Sequence, residues 1–150
     1  MTDDENIRGF SGENDFLSNF YMVNIEIDDK IYKSSEHYYM SQKTTDDRWR
    51  QKILEAPTGA KAKRIGTQVP LRADWVEKYK LQSMRIALQA KFCIHEMKNR
   101  LDATGNKYLE ETNHWNDVFW GVCNGEGRNI LGIMLMIIRE NNRGANDITV

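Results

Sequence analysis

Nine consecutive residues near the end of the chain, ILGIMLMII at 130–138, are all apolar or glycine. A membrane-spanning helix needs about 20 such residues, so this run is too short to cross a bilayer. A helix that is apolar around its whole circumference belongs inside a protein core. The run therefore predicts a central helix from about Asn129 to Glu140, followed by a tail over 142–150 in which Gly144 marks fraying.

The size and composition of the chain are those of one soluble domain. Of its 150 residues, 40% are hydrophobic and 29% are charged, which suits a single core beneath a charged surface. The net charge of −1 argues against binding nucleic acid through bulk positive charge, although a local basic groove is compatible with it.

The cysteines and the first residues of the sequence bear on where the protein acts. Cys93 and Cys123 lie in no metal-binding spacing, and the pattern predicts two buried free thiols. MTDDENIRG has no apolar segment of the kind that signal peptides contain. We therefore expect a protein of the reducing cytoplasm with no membrane contact.

Capping and turn signals divide the chain into short elements. The segment 21–27 alternates apolar and polar residues as a half-buried strand does, and Asp28-Asp29 predicts a turn into a second strand at 30–33. Ser34 and Ser35 are N-cap residues for a helix that starts near Glu36. Further helices are predicted at 46–56, at 58–66 and within 72–101, where a break is expected near Tyr79 to Leu81; short extended segments are predicted at 106–111 and 118–122.

These elements predict an α+β fold class, with a single, mostly helical domain and a small β-sheet. The domain spans residues 10–141, and the polar residues 1–9 are expected to form a flexible N-terminus.

The stretch SSEHYYMSQK at 34–43 is the first candidate for chemistry. Glu36 and Lys43 are 7 residues apart, so on one helix they share a face, about 10 Å apart along the axis. Their long side chains could then converge on one small ligand. The alternative is an ordinary amphipathic helix, with a solvated charged face and Tyr38, Tyr39 or Met40 pointing inward.

A second candidate is ETNHWNDVFWG at 111–121, where Asp117 lies among Trp115, Phe119 and Trp120. A desolvated carboxylate has a raised pKa and is often catalytic. The alternative is that Asp117 caps a turn by accepting hydrogen bonds from backbone amides. The glycine-rich loop 123–129 that follows resembles a phosphate-binding turn only weakly, and a plain turn is the simpler interpretation.

Several segments, taken in order, resemble the NADAR family of YbiA-like N-glycosidases, and the resemblance covers about residues 10 to 140. The matching segments are FLSNFY (16–21), SSEHYYMSQK (34–43), the tryptophan of LRADW (71–75), MRIALQAKF (84–92), LDATGNKYLEE (101–111), NDVFWG (116–121) and GRNILGIMLMIIR (127–139). The resemblance implies a hydrolase that cleaves the bond between a ribose anomeric carbon and a nitrogen, with neither metal nor cofactor.

The resemblance also implies roles for particular residues. Glu36 is the expected catalytic carboxylate, which stabilises positive charge on the sugar or activates water. Lys43 is its expected partner and could attack the sugar to form a Schiff base, while Asp117 would hold sugar hydroxyls or assist proton transfer. Trp75 and Trp120 would stack on the base or the sugar. Beside these, the basic residues Arg85, Lys91 and Arg128 are candidates for binding a substrate phosphate, and Asn19 and Asn129 are further candidates for substrate binding.

Two substrate classes follow from the resemblance. One is the ribosylamino-pyrimidine phosphate intermediates of riboflavin biosynthesis, and the other is ADP-ribosylated guanine, which would bring local contact with ADP-ribosylated nucleic acid. Two other hypotheses are a non-catalytic ADP-ribose or nucleotide-binding module and a small interaction protein with exposed aromatic residues. The joint presence of Glu36 and Lys43 favours the enzyme, because a binding module needs neither.

Overall fold

The computed structural model describes residues 5–148, with side chains as far as Gly144. The chain forms two compact units: a middle unit, Asn19–Ile94, and a terminal unit, which joins the residues before Asn19 to those from His95 onward. The elements in chain order are β1 (Asn6–Arg8), a 3-10 helix (Gly12–Leu17), β2 (Ile25–Ile27), β3 (Lys30–Tyr32), α1 (Ser35–Ser41), α2 (Asp47–Glu55), α3 (Gly59–Gly66), a π turn (Trp75–Tyr79), α4 (Lys80–Phe92), α5 (His95–Asp102), β4 (Tyr108–Glu110), β5 (Thr112–Asn113), β6 (Val122–Cys123) and α6 (Ile130–Ile148).

The middle unit begins with the predicted hairpin. Strands β2 and β3 pair antiparallel, with Ile25 opposite Tyr32. Asp28 and Asp29 have φ angles of 52° and 65°, and two consecutive positive values match a tight type I′ hairpin turn. The hairpin prediction is confirmed, but β2 covers only the last three residues of the predicted strand.

Three helices of the middle unit begin within one residue of their predicted starts, each behind a capping side chain. The side chain of Ser34 accepts a hydrogen bond from the backbone N–H of His37, and Thr58 does the same for Lys61. Asp46 accepts from two backbone N–H groups at the start of α2. Each cap satisfies a helix N–H group that has no partner within the helix, which is why these short polar residues mark the helix starts.

Helix α1 packs against α2, α3 and α4, and its tyrosines enter the core of the unit. This core holds Ile25, Ile27, Tyr32, Tyr38 and Ala87. The Tyr32 and Tyr38 rings meet edge to face with centroids 5.1 Å apart, a favourable arrangement for aromatic pairs.

The long helical pattern 72–101 forms three elements rather than one helix. The π turn Trp75–Tyr79 runs directly into α4 at Lys80, so the hydrogen-bonding pattern changes at the position of the predicted break but the helical backbone continues. An unpredicted break separates α4 from α5 at residues 93 and 94. Cys93 at this break is exposed, so the prediction that both cysteines are buried is correct for Cys123 and wrong for Cys93.

In the terminal unit, β1 pairs parallel with β4, and β5 pairs parallel with β6. The expected flexible N-terminus is therefore wrong for 6–8, where Ile7 is buried opposite Leu109; residues 1–4 lie outside the described part of the chain. Together with the hairpin, these pairs make three two-stranded sheets in place of one small sheet. The α+β class is confirmed.

Helix α6 differs from its prediction in length and in burial. It continues past Glu140 and includes Gly144, so the helix does not end where the tail was predicted. Leu131 and Leu135 are buried, but the side chains of Ile133 and Ile137 are 41% and 54% exposed. The prediction that core residues surround this helix is therefore wrong, because the terminal unit covers only one face of α6.

Between residues 5 and 148, no helix combines the length and the apolar character that crossing a membrane requires.

Candidate active site

Glu36 lies in the first turn of α1 and is 5% exposed. Its backbone N–H donates to the carbonyl oxygen of Asn19 at 3.2 Å. The hydroxyl of Ser35 donates to the side-chain oxygen of the same asparagine at 2.8 Å. The structure thus brings together Asn19 and Glu36, two residues predicted for the site. Ser35, for which the sequence predicts only a capping role, takes part in the contact.

The side-chain amide of Asn19 donates to the sulfur of Met84 at 3.3 Å. A thioether is a weak acceptor, so a ligand oxygen would be a better partner for this amide. The amide is therefore well placed for the substrate-binding role predicted for Asn19.

Helix α1 is buried on every side. Each residue from Ser34 to Ser41 is buried, including the carboxylate of Glu36. The interpretation of 34–43 as an amphipathic helix with a solvated face is therefore wrong, because neighbouring helices and the hairpin surround this short helix.

Lys43 lies beyond the helix, since α1 ends at Ser41 and Gln42 is its cap. The prediction that Glu36 and Lys43 share a face of one helix is therefore wrong in its geometry. Electrostatically the two residues are nevertheless coupled. Burial lowers the pKa of the half-buried Lys43, the carboxylate of Glu36 raises it, and Lys80 and Lys63 lower it further. The balance is a pKa below the usual lysine range.

Trp75 begins the π turn and is 5% exposed. Its ring lies against the ring of Tyr39 on α1, with centroids 5.4 Å apart. Residues Glu36, Tyr39, Lys43 and Trp75 therefore all belong to α1 and its immediate surroundings within the middle unit.

Arg85 and Lys91, the two basic candidates for substrate binding on α4, lie on different faces of the helix. Lys91 is fully buried, and its ammonium lies 5.6 Å from the centroid of the Tyr21 ring and 5.1 Å from that of Phe92. Arg85 is exposed, because it lies on the opposite face of the same helix. The structure does not bring Arg85 to the buried surroundings of Lys91, so these two candidates for substrate binding lie in different environments.

His37, next to Glu36, is fully buried and structural. Its Nε2 lies 2.9 Å from the carbonyl oxygen of Ala56, which can only accept, so Nε2 carries the proton. Nδ1 then accepts from the hydroxyl of Ser34 at 2.6 Å. Burial lowers the pKa of His37, the bond to Ala56 raises it, and Lys33 lowers it.

We expect this histidine to make the protein less stable in mild acid. The unfolded chain takes up the proton at about pH 6.5, whereas folded His37 resists it, so stability is complete above that pH and falls below it. The slope reaches at most about 1.4 kcal/mol per pH unit for this one group. Urea unfolding between pH 5 and 8 measures it.

The exposed histidines His95 and His114 provide the control for this measurement. A variant with both changed to glutamine should keep the slope, and His37→Gln should reduce it. An unchanged slope in a folded His37→Gln protein would contradict the assignment.

Asp117 in the terminal unit caps a turn. Its side-chain oxygen accepts from the backbone N–H groups of Phe119 at 3.2 Å and Trp120 at 2.9 Å. Its own backbone N–H and carbonyl are both held by the side chain of Asn113, at 3.0 and 2.8 Å. Asp117 therefore caps a turn, as the alternative interpretation of this residue predicted. The turn also fixes the position of Trp120, whose ring meets that of Phe119 edge to face with centroids 4.8 Å apart.

Arg128 and Asn129, the two candidates for substrate binding that follow this turn, differ in how far they are buried. Arg128 is exposed, and its guanidinium lies 5.6 Å from the centroid of the Phe119 ring. Asn129 is 2% exposed, and its amide group donates to the hydroxyl of Tyr108 and to the carbonyl of Leu109, while its oxygen accepts from the backbone of Glu111. Both amide hydrogens of Asn129 are therefore used within the protein, which argues against its predicted role in substrate binding.

Gly121 directly follows Trp120, and the atoms around it leave no room for a side chain. A Cβ atom there would overlap the carbonyl oxygen of Glu111 and press on the amide of Asn113. Because the carbonyl belongs to the backbone, we expect Gly121→Ala to lower the free energy of unfolding by about 2 kcal/mol. Chemical denaturation measures the loss.

Gly144→Ala is the matched control, since nothing lies within 4 Å of a Cβ atom at this helical position. That substitution should leave the stability unchanged or raise it by up to about 1 kcal/mol. Equal stability of the two variants would contradict the close approach at Gly121.

Across residues 5–148, no cluster of three or more histidine, cysteine or acidic side chains is arranged to hold a metal ion.

Comparison with known proteins agrees with these observations. The family model of the NADAR domain matches residues 8–143. The N-glycosidase YbiA of Escherichia coli K12 is 39% identical over 140 residues, which cover 89% of this chain and 86% of YbiA. A riboflavin biosynthesis protein of Vibrio vulnificus is 39% identical over 129 residues, 83% of this chain but only 35% of that longer protein.

A solved structure extends the similarity to three dimensions. The NMR structure of E. coli YbiA has a TM-score of 0.85 and 35% sequence identity, and the match covers 100% of this chain and 91% of that one. This similarity confirms the predicted fold class.

Proposed function

Because the chain belongs to the NADAR family and is a hydrolase that acts on N-glycosyl bonds, we propose that it cleaves the bond between a ribose anomeric carbon and a nitrogen. The observation that carries this proposal is a buried carboxylate in the middle unit, Glu36, which acts electrostatically on a half-buried lysine, Lys43, whose pKa is lowered by burial.

Glu36 is assigned the electrostatic part of the reaction. Breaking a ribosyl C–N bond builds positive charge on the sugar. A carboxylate shielded from water stabilises that charge more strongly than a solvated one, and the backbone bond to Asn19 holds Glu36 in place before the reaction begins.

Lys43 is assigned the nucleophilic part. Its neutral amine attacks the anomeric carbon, the C–N bond to the base breaks, and the base leaves with a proton. The ring C–O bond then opens to give a Schiff base, which water hydrolyses to release the sugar and the lysine amine. The reaction needs an uncharged amine, and the lowered pKa of Lys43 raises the fraction in that form.

Trp75 and Asn19 are assigned to substrate binding in the same unit. The buried indole of Trp75, supported by Tyr39, offers an aromatic face for a base or sugar. The assignments of Asp117 and Trp120 rest on the family resemblance, and that of Arg128 rests on its positive charge. The rigid turn described for Asp117 is compatible with a binding surface at Trp120.

For the substrate we propose the ribosylamino-pyrimidine phosphate intermediates of riboflavin biosynthesis. The name of the similar Vibrio protein supports this class, and the net charge of −1 gives no general attraction for long nucleic acid. We place the reaction in the cytoplasm, where a reducing environment keeps the exposed Cys93 as a thiol.

The test is turnover of both substrate classes side by side. We expect hydrolysis of the ribosylamino-pyrimidine phosphate and slower hydrolysis of ADP-ribosylated guanine, with the released base measured by chromatography. Preference for ADP-ribosylated guanine would overturn the substrate assignment. Binding of ADP-ribose by calorimetry without turnover of either compound would instead favour the non-catalytic module.

A further inference from the structure

The segment 41–44, which carries Lys43, starts at the last residue of α1, and no helix or strand holds the three residues that follow. Helix α1 ends at Ser41 and α2 begins only at Asp47. An irregular segment usually leaves a reactive side chain mobile, yet Lys43 is half-buried with a lowered pKa. Contacts from outside the segment must therefore restrain it.

Arg50 on α2 provides the first restraint. Its Nε–H group donates to the carbonyl oxygen of Ser41 at 3.1 Å and to that of Thr44 at 2.8 Å. One guanidinium nitrogen therefore ties together the two ends of the segment, and the rigidity of α2 is passed to the backbone around Lys43.

Arg72, which precedes the π turn, provides the second restraint. Its backbone N–H donates to the carbonyl of Lys43 itself at 2.8 Å, and its Nη1 donates to the carbonyl of Gln42 at 3.3 Å. Its guanidinium carbon lies 3.6 Å from the centroid of the Tyr79 ring, at the end of the π turn that begins with Trp75. All four carbonyl oxygens from 41 to 44 thus accept hydrogen bonds from one of two arginines.

We propose that Arg50 and Arg72 are positioning residues that hold the backbone of Lys43 so that its amine stays in the partly buried surroundings of Glu36. The catalytic part of this proposal rests on the proposed role of Lys43 as the nucleophile. The structural part does not, because it concerns only where the amine lies.

Loss of Arg50 is compatible with a folded protein. Its side chain borders a polar cavity of about 290 Å³, which is also lined by Lys30, Gln42 and Asp47. Ser41 also lines this cavity, so water there can take the place of Arg50 beside the carbonyl of Ser41.

The variants separate charge from geometry. Arg50→Lys keeps the positive charge but loses the planar group that joins two carbonyls, and Arg50→Ala loses both. Arg72→Ala keeps its backbone bond to Lys43 and should have the smaller effect. Arg48→Ala is the matched control, because Arg48 is an exposed arginine on the same helix.

The first readout does not depend on activity. Trace acetylation with acetic anhydride, followed by peptide mass spectrometry across a pH series, gives the midpoint at which Lys43 becomes reactive. We expect this midpoint to rise in both Arg50 variants, because the loosened amine gains water, and to stay unchanged in Arg48→Ala. Groups acting on the amine besides its burial are Glu36, Lys80 and Lys63, and none of them is altered.

The second readout is the reaction. We expect Arg50→Lys to lower kcat about tenfold with little change in KM, because misplacement of the amine affects the chemical step. An unchanged acetylation midpoint in folded Arg50→Lys and Arg50→Ala proteins would overturn the proposal. If the wild-type protein hydrolyses neither substrate class, the proposed function fails, and the acetylation result still decides the positioning role.

Discussion

Glu36→Gln is expected to lower kcat for the ribosyl substrate by about a thousandfold, within the range found for removal of a catalytic carboxylate or base. Glutamine has nearly the same shape, so the loss would reflect the missing charge rather than a cavity. The backbone bond from residue 36 to Asn19 does not depend on the side chain and should remain. Steady-state kinetics and circular dichroism of both proteins make the comparison.

A charge effect of Glu36 should also be seen at Lys43. Since the carboxylate raises the pKa of Lys43, its removal should lower that pKa further, and the amine should become reactive at lower pH. Full hydrolysis by folded Glu36→Gln would show that the carboxylate has no catalytic role. Loss of activity without a change at Lys43 would show that the two residues are not coupled.

Lys43→Arg is expected to abolish covalent trapping of the substrate and to lower kcat by at least about a hundredfold. Arginine keeps the positive charge but stays protonated at working pH, so it cannot form an imine. Borohydride added during turnover should leave the wild-type protein with one sugar adduct, located at Lys43 by mass spectrometry.

Lys61→Arg on α3 is the matched control, since Lys61 is exposed. It should keep both the adduct and the activity. No adduct in the wild-type protein, together with full activity in Lys43→Arg, would reject the Schiff base and leave Glu36 to act through water.

The parts of the fold that were predictable depend on neighbours in sequence. Ser34, Asp46 and Thr58 each cap the helix that follows within three residues, so local chemistry identifies them. Strand β1 was missed because its partner β4 lies far along the chain, with Asn6 opposite Tyr108, and a polar three-residue strand has no pattern of its own.

Burial was the least predictable property of the candidate site. Glu36 and His37 look like surface residues, yet both are buried because three helices pack around α1. Arg85 and Lys91 look alike in sequence, and only the direction of each on α4 separates an exposed cation from a buried one. The arginines around Lys43 gave no sequence signal, because their contacts are to backbone oxygen atoms, which every residue carries.

The complete burial of α1 ties the chemistry of the middle unit to its cooperative folding. A catalytic loop on a surface can open by itself, but the residues of α1 reach solvent only when the helices and hairpin around them separate. In partly unfolded forms of this unit, the buried site around Glu36 would not be assembled. The fraction of active molecules would therefore equal the fraction in which the unit is folded. Natural variation that weakens the packing of α1 would then reduce the number of working enzymes rather than the speed of each one.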